Sequence, residues 1–227
     1  MVNRSSSSTT PKRISTGRSS TREAAAQATR EKIIRAATKV FAKHGFDGGS
    51  LEKIARAAGS YERMIPYYFG SKEGLFIAVL EETYRQFDEA ELKIDLPTDK
   101  PVESLKAVIG FMFSYHRQNS EFITLLNTEN MYRGKHVSKS RAREYSYRGI
   151  SILDGLLKSG AASGVFRKNI VARDIYLMIV SMSYFYQSNR FTLSAFLGED
   201  LEAPETTKHW QEFMIDSVLR TVSVSPP

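Results

Sequence analysis

The sequence predicts an all-helical chain with a small three-helix N-terminal domain and a larger helical C-terminal domain, and three observations carry that prediction. Apolar residues recur at three- and four-residue spacing in segment after segment, with no strand-like alternation and no internal repeat. Counted from Leu51, a small residue stands fifth (Ala55), a glycine ninth (Gly59) and an apolar residue fifteenth (Ile65). Charge is also unevenly divided. Residues 1–75 hold 14 Lys and Arg against 6 Asp and Glu, whereas residues 76–227 hold 18 against 19, so the excess behind the net charge of +7 lies in the first third.

The elements follow in order. Residues 1–21 are rich in Ser, Thr and Arg and are expected to be a disordered basic arm, in which Arg4, Lys12, Arg13 and Arg18, with Arg22 at the edge, can reach a polyanion. From Arg22 to His44, Ile33, Ile34, Ala37, Val40 and Phe41 mark an amphipathic helix that ends at Gly45. Ser50 caps a second helix, Leu51 to Ala58. The fifth, ninth and fifteenth positions are the requirements of a helix-turn-helix. The small residue lets two helices cross closely, the glycine takes a positive φ, and the apolar residue packs the second helix on the first. A short helix over Tyr61 to Tyr67, capped by Ser60, completes a domain spanning residues 22–75. Ser71-Lys72-Glu73 then opens the next helix, which runs from Leu75 to about Leu92 as the connection to the second domain, residues 76–227. Further helices are expected at Pro101–Gln118, Glu121–Met131, Ser138–Ser159, Val171–Leu197 and Pro204–Val222.

Composition excludes several classes. There is no cysteine, hence no disulfide framework and no thiolate chemistry, which fits a cytoplasmic protein. The least polar run, Ile175 to Tyr186, is 12 residues long and falls short of the ~20 that span a bilayer. His44, His116, His136 and His209 are scattered without metal-ligand spacing, and no nucleophile or phosphate-loop motif appears, so no metal, cofactor or catalytic residue is expected.

Three stretches, ATKVFAKHGF (Ala37–Phe46), LEKIARAAG (Leu51–Gly59) and YYFGSKEGL (Tyr67–Leu75), together resemble the N-terminal DNA-binding region of the TetR family of transcriptional regulators over about 50 residues. The resemblance implies that Tyr61 to Tyr67 is a recognition helix, that Lys72 lies near a DNA phosphate, and that Ser50 both caps its helix and approaches the backbone. Physical chemistry supports these roles, since helix N-termini attract phosphate and Ser71-Lys72 adds a hydroxyl and an ammonium there. Tyr67 and Tyr68 can donate to phosphates while their rings pack on the domain. Arg63 can read guanine, Glu62 can accept from cytosine, and Tyr61 and Met64 can touch thymine methyls. Pro66 departs from the family pattern, in which tyrosine is usual. With Ser60 as cap, Pro66 falls at the sixth helical position and should shorten or kink the helix.

In this family the C-terminal domain binds an effector and dimerises. The polar candidates for an effector site are Tyr115, His116, Asn127, Glu129 and Asn130, set among apolar helical neighbours. The candidates for a four-helix interface with a second copy are Ile175, Met178, Ile179, Met182, Phe185 and Tyr186 on one helix, and Trp210, Phe213, Met214 and Val218 on the next. The expectation is a homodimeric repressor on a palindromic double-stranded operator, released by an unknown small molecule. The competing classes are an all-helical enzyme and a ligand-independent architectural DNA-binding protein.

Overall fold

The computed structural model describes residues 16–97 and 99–225, and among them the fold is wholly helical apart from one isolated antiparallel bridge between Phe166 and Ser223. The helices are α1 (Thr16–Gly48), α2 (Leu51–Ala58), α3 (Met64–Phe69), α4 (Lys72–Glu91), α5 (Pro101–Gln118), α6 (Ser120–Met131), α7 (Ala142–Ala162), α8 (Ala172–Leu197) and α9 (Pro204–Val222), with a 3-10 turn at Val137–Lys139. No helix among the described residues is long and apolar enough to cross a membrane.

The first helix begins at Thr16, six residues before the expected start. Once a long helix exists, extending it costs little, so polar residues 16–21 continue it. The remainder of the expected basic arm, residues 1–15, lies outside the described residues. At the other end Gly45 leaves helical geometry (φ 68°, ψ 178°), the break that its position predicts. The α7 helix starts four residues later than expected because 137–139 form the 3-10 turn and the Ser140 hydroxyl accepts from the Ala142 N–H at 3.1 Å.

Caps set the small domain. The Ser50 hydroxyl accepts from the Lys53 N–H at 3.2 Å, opening α2. Gly59 closes it in the left-handed region (φ 59°) and Ser60 N–H reaches the Ala55 carbonyl at 3.0 Å. Ser71 opens α4 by accepting from Gly74 N–H at 3.0 Å. Gly74 admits no side chain, because a Cβ there would stand 2.1 Å from the Phe69 carbonyl oxygen. Ile33, Phe41, Ile54, Ile65 and Phe76 are fully buried in the core of this domain, and Leu125 of α6 joins them from the body.

The α3 helix corrects the expected register. It starts at Met64, so Ser60 is not its cap and Pro66 is its third residue, not its sixth. The Tyr61–Arg63 segment is a turn closed by Met64 N–H to Tyr61 O (2.9 Å) and Ile65 N–H to Glu62 O (3.0 Å). A third-position N–H has no intrahelical partner, so proline loses nothing there. Pro66 neither kinks nor strains the helix.

The larger domain packs α5, α7, α8 and α9 around one core, with α4 laid along α7 and α6 crossing between α1 and α8.

Because a compatible proline stabilises by limiting the unfolded chain, Pro66→Ala should lower stability by about 0.4–1 kcal/mol. Thermal melting of the variant checks this, and a higher melting temperature would show that Pro66 is strained after all.

Candidate functional site

Two regions collect the chemistry, one on the small domain and one inside the larger. On the small domain, the short turn before α3 pushes Tyr61, Glu62 and Arg63 outward as an exposed group, and Tyr67 follows one turn on. Tyr61 and Tyr67 are 72% and 76% exposed. The Arg63 guanidinium lies over the Tyr61 ring, 5.0 Å from its centroid, and Tyr67 meets Tyr68 edge-on at 5.0 Å. Tyr68 and Met64 are half-buried against the core. The expectation that the Tyr67 ring packs on the domain is therefore corrected: only Tyr68 does.

The same domain carries a positive corner. Past the break at Gly45, the end of α1 presents the carbonyls of Asp47 and Gly48. Lys72 Nζ donates to the Asp47 carbonyl at 3.0 Å and lies 4.9 Å from the Phe46 ring centroid, while Lys53 Nζ donates to the Gly48 carbonyl at 3.1 Å. Two ammonium groups thus share one corner with Ser50, at the start of α2.

Sequence reasoning missed the device that joins this domain to the body. Glu129 is buried and accepts from the backbone N–H groups of His136 (2.6 Å) and Val137 (2.9 Å) and from His136 Nδ1 (2.7 Å). The fully buried His136 ring packs against Phe46 and Phe76 of the small domain. Tyr132 donates to the Asp47 carboxylate, and Lys139 pairs with Glu73 at 2.6 Å. Glu129 is thereby committed to the loop that grips the small domain, not to the effector site for which its polarity marked it.

Of the other effector candidates, His116 alone lines the cavity enclosed by α4–α8, about 190 Å³, with Tyr84, Tyr176 and Tyr184. Tyr115 lies on a separate groove beside α1, Asn130 is exposed, and Asn127 sits behind the cavity wall, accepting from Tyr184 and from Ser188 (3.1 Å). The cavity tyrosines were missed because they lie on helices far apart in the chain. Burial pushes the Tyr176 hydroxyl up to about 12, with Glu91 and Tyr84 adding to it, and burial also raises Tyr84.

The ten interface candidates divide. Ile175, Ile179, Tyr186, Met214 and Val218 are buried within the chain's own core, and Met178, Met182 and Trp210 pack against it half-buried. Phe185 and Phe213 are exposed. They are joined by Leu177 and Phe196, which the sequence reading did not select and which share the open side of α8 with Phe185.

Comparison with known proteins identifies the family. Residues 33–79 match the family model described as "Bacterial regulatory proteins, tetR family", and residues 101–218 match "Tetracyclin repressor-like, C-terminal domain". The chain is similar to the "HTH-type transcriptional repressor NicS" of Pseudomonas putida, 43% identical across 91% of this chain and 98% of that one. It is also similar to the "HTH-type transcriptional repressor SCO4008" of Streptomyces coelicolor, 28% identical across 69% of this chain and 77% of the other. Among solved structures, the fold matches the FadR regulator of Bacillus subtilis in complex with stearoyl-CoA, with a TM-score of 0.60 and 24% identity over 82% of this chain and 97% of that one. The chain belongs to the TetR family, and it is a DNA-binding transcriptional regulator, not an enzyme.

One buried acid gives a pH signature. Glu91 is only 6% exposed, and burial raises its carboxyl to about 7, with Asp88 adding to the rise and Arg148 opposing it. The folded state therefore holds this proton more tightly than the unfolded state, so the contribution of Glu91 to stability is fully present below about pH 4.5 and is lost as pH rises through about 7. Glu91→Gln should raise stability at pH 8 by roughly 1–3 kcal/mol and change it little at pH 4.5. Denaturant unfolding at both pH values checks this, and an equal change at each would show that Glu91 is not the titrating group.

Proposed function

We propose that the protein is a transcriptional repressor that binds a palindromic double-stranded operator as a homodimer and is released by a small molecule. The observation that carries the DNA-binding part is the pairing of an exposed Tyr61–Arg63 and Tyr67 group with the Lys53–Lys72 corner. Exposed side chains that make no use of their own domain are suited to base edges, and clustered ammonium groups at helix ends are suited to phosphate.

In this reading Arg63 reads guanine, Tyr61 contacts an adjacent base, and Glu62 accepts from cytosine. Tyr67, Tyr68, Ser50 and Lys72 hold the sugar-phosphate backbone, and half-buried Met64 supports the reading turn. Repression is supported by the two similar proteins, both of which are transcriptional repressors. Its place of action is the cytoplasm, where bacterial DNA lies. The dimer surface is the open side of α8, Leu177, Phe185 and Phe196, with Phe213 of α9. The FadR ligand does not transfer, because an acyl-CoA is far too large for a cavity of about 190 Å³.

Selection of bound sites from a random DNA pool tests the proposal: an inverted repeat should be enriched, and the absence of any repeat would overturn it. On that site Arg63→Ala should cost about 1–3 kcal/mol and relax preference at one base per half-site. Lys72→Ala should weaken specific and random DNA equally and lower the salt slope by about one. Phe185→Asp should give a monomer in light scattering, since a carboxylate placed in an apolar interface loses hydration without gaining a partner. A persistent dimer would move the interface elsewhere.

A further inference from the structure

The proposed release by a small molecule leaves the chemistry of that molecule open, and the cavity between α4 and α8 narrows it. Its volume, about 190 Å³, is slightly larger than the roughly 150 Å³ that accommodates a single benzene ring in an engineered protein cavity. One six-membered ring with one small substituent fills it.

The walls are flat on one side. The Phe122 ring is nearly parallel to Phe87 (5.7 Å, 17°) and to His116 (5.7 Å, 17°). A planar ring can stack or meet these faces edge-on, whereas a puckered aliphatic ring makes poorer contact.

Polarity is as specific as shape. Ser183 has one hydroxyl proton, and its Oγ stands within hydrogen-bond reach of the Val180 carbonyl (3.2 Å) and of His116 Nδ1 (2.9 Å). With that proton given to the carbonyl, the imidazole donates from Nδ1 to Ser183 Oγ, the tautomer that leaves Nε2 as an acceptor on a residue lining the cavity. Burial pushes this histidine down to about 4, so it is neutral at physiological pH. Among the described residues, none of the Tyr84, Tyr145 and Tyr176 hydroxyls makes a hydrogen bond, although all three side chains line the same cavity. The site thus offers one acceptor and three unused donors. No Asp, Glu, Lys or Arg lines it, so a charged ligand would shed its hydration without a counter-ion.

From this juxtaposition we infer that the cavity binds a small, uncharged, single-ring aromatic molecule bearing a hydroxyl or equivalent donor–acceptor group, which donates to His116 Nε2 and accepts from Tyr84 or Tyr176. The inference rests on the effector reading above and specifies the ligand it takes.

Calorimetric titration of the full chain with four probes of one size tests it: phenol, toluene, cyclohexanol and benzoate. Phenol should bind at least about tenfold more tightly than toluene, which lacks the hydroxyl, cyclohexanol, which lacks the flat ring, and benzoate, which carries a charge. Tyr176→Phe removes one oxygen from a half-buried ring and should weaken phenol several-fold while leaving toluene unchanged. Val180→Phe, which fills the cavity, should abolish phenol binding. No heat with phenol, benzoate or toluene binding as tightly as phenol, or phenol binding indifferent to both variants would overturn the inference. DNA release is read separately by adding phenol to the protein bound to its selected site. Phenol that binds in the predicted order without releasing DNA supports the chemistry of the cavity and overturns only the effector role proposed for it.

Discussion

The placement of the DNA-binding domain on the body depends on one buried carboxylate. Glu129 receives two backbone N–H groups and an imidazole nitrogen within 2.9 Å, and so fixes the loop that carries His136 into the aromatic cluster of Phe46 and Phe76. A buried N–H deprived of its acceptor costs about 1–3 kcal/mol, so this arrangement is held far more firmly than by the exposed Lys139–Glu73 pair beside it. The ring contacts then act with shape, since a planar imidazole wedged between phenyl rings tolerates little sliding.

From that anchor the remaining structure follows in both directions. Toward the DNA-binding side, Phe46 sits at the end of α1 whose carbonyls hold Lys53 and Lys72, so the positive corner is positioned by the same cluster. Toward the body, Glu129 lies two residues beyond Asn127, which takes the Tyr184 hydroxyl from the cavity wall. One helix, α6, therefore touches both the cavity and the loop that grips the small domain. The described contacts place the two sites on a single packed path, and any movement of α6 must be accommodated by both.

Helix α8 illustrates how a single element serves two solvents. Its residues Ile175 and Ile179 are buried in the core, while Leu177, Phe185 and Phe196 face outward on the other side. A helix with apolar residues on two sides satisfies a core and still leaves a hydrophobic face, which is the physical basis for reading it as an association surface.

Local rules made much of this legible in advance. Caps at Ser50 and Ser71, the left-handed Gly59, the break at Gly45 and the prolines opening α5 and α9 all act over a few residues, and their consequences could be read from spacing alone. The all-helical class and the helix-turn-helix were legible for the same reason, since helical bonds and caps reach three or four positions. What the chain itself could not reveal was which side of an apolar helix would meet its own body. Nor could it reveal that Pro66 would fall in a first turn, because that depended on where the turn after Gly59 released the chain into α3. Glu129 looked like a pocket residue because polarity is visible in a sequence and the identity of a partner is not. The cavity combines Tyr84, His116 and Tyr176, and the head is gripped by pairing Asp47 with Tyr132 and Glu73 with Lys139. Such juxtapositions come from packing between distant segments, and only tertiary structure decides them.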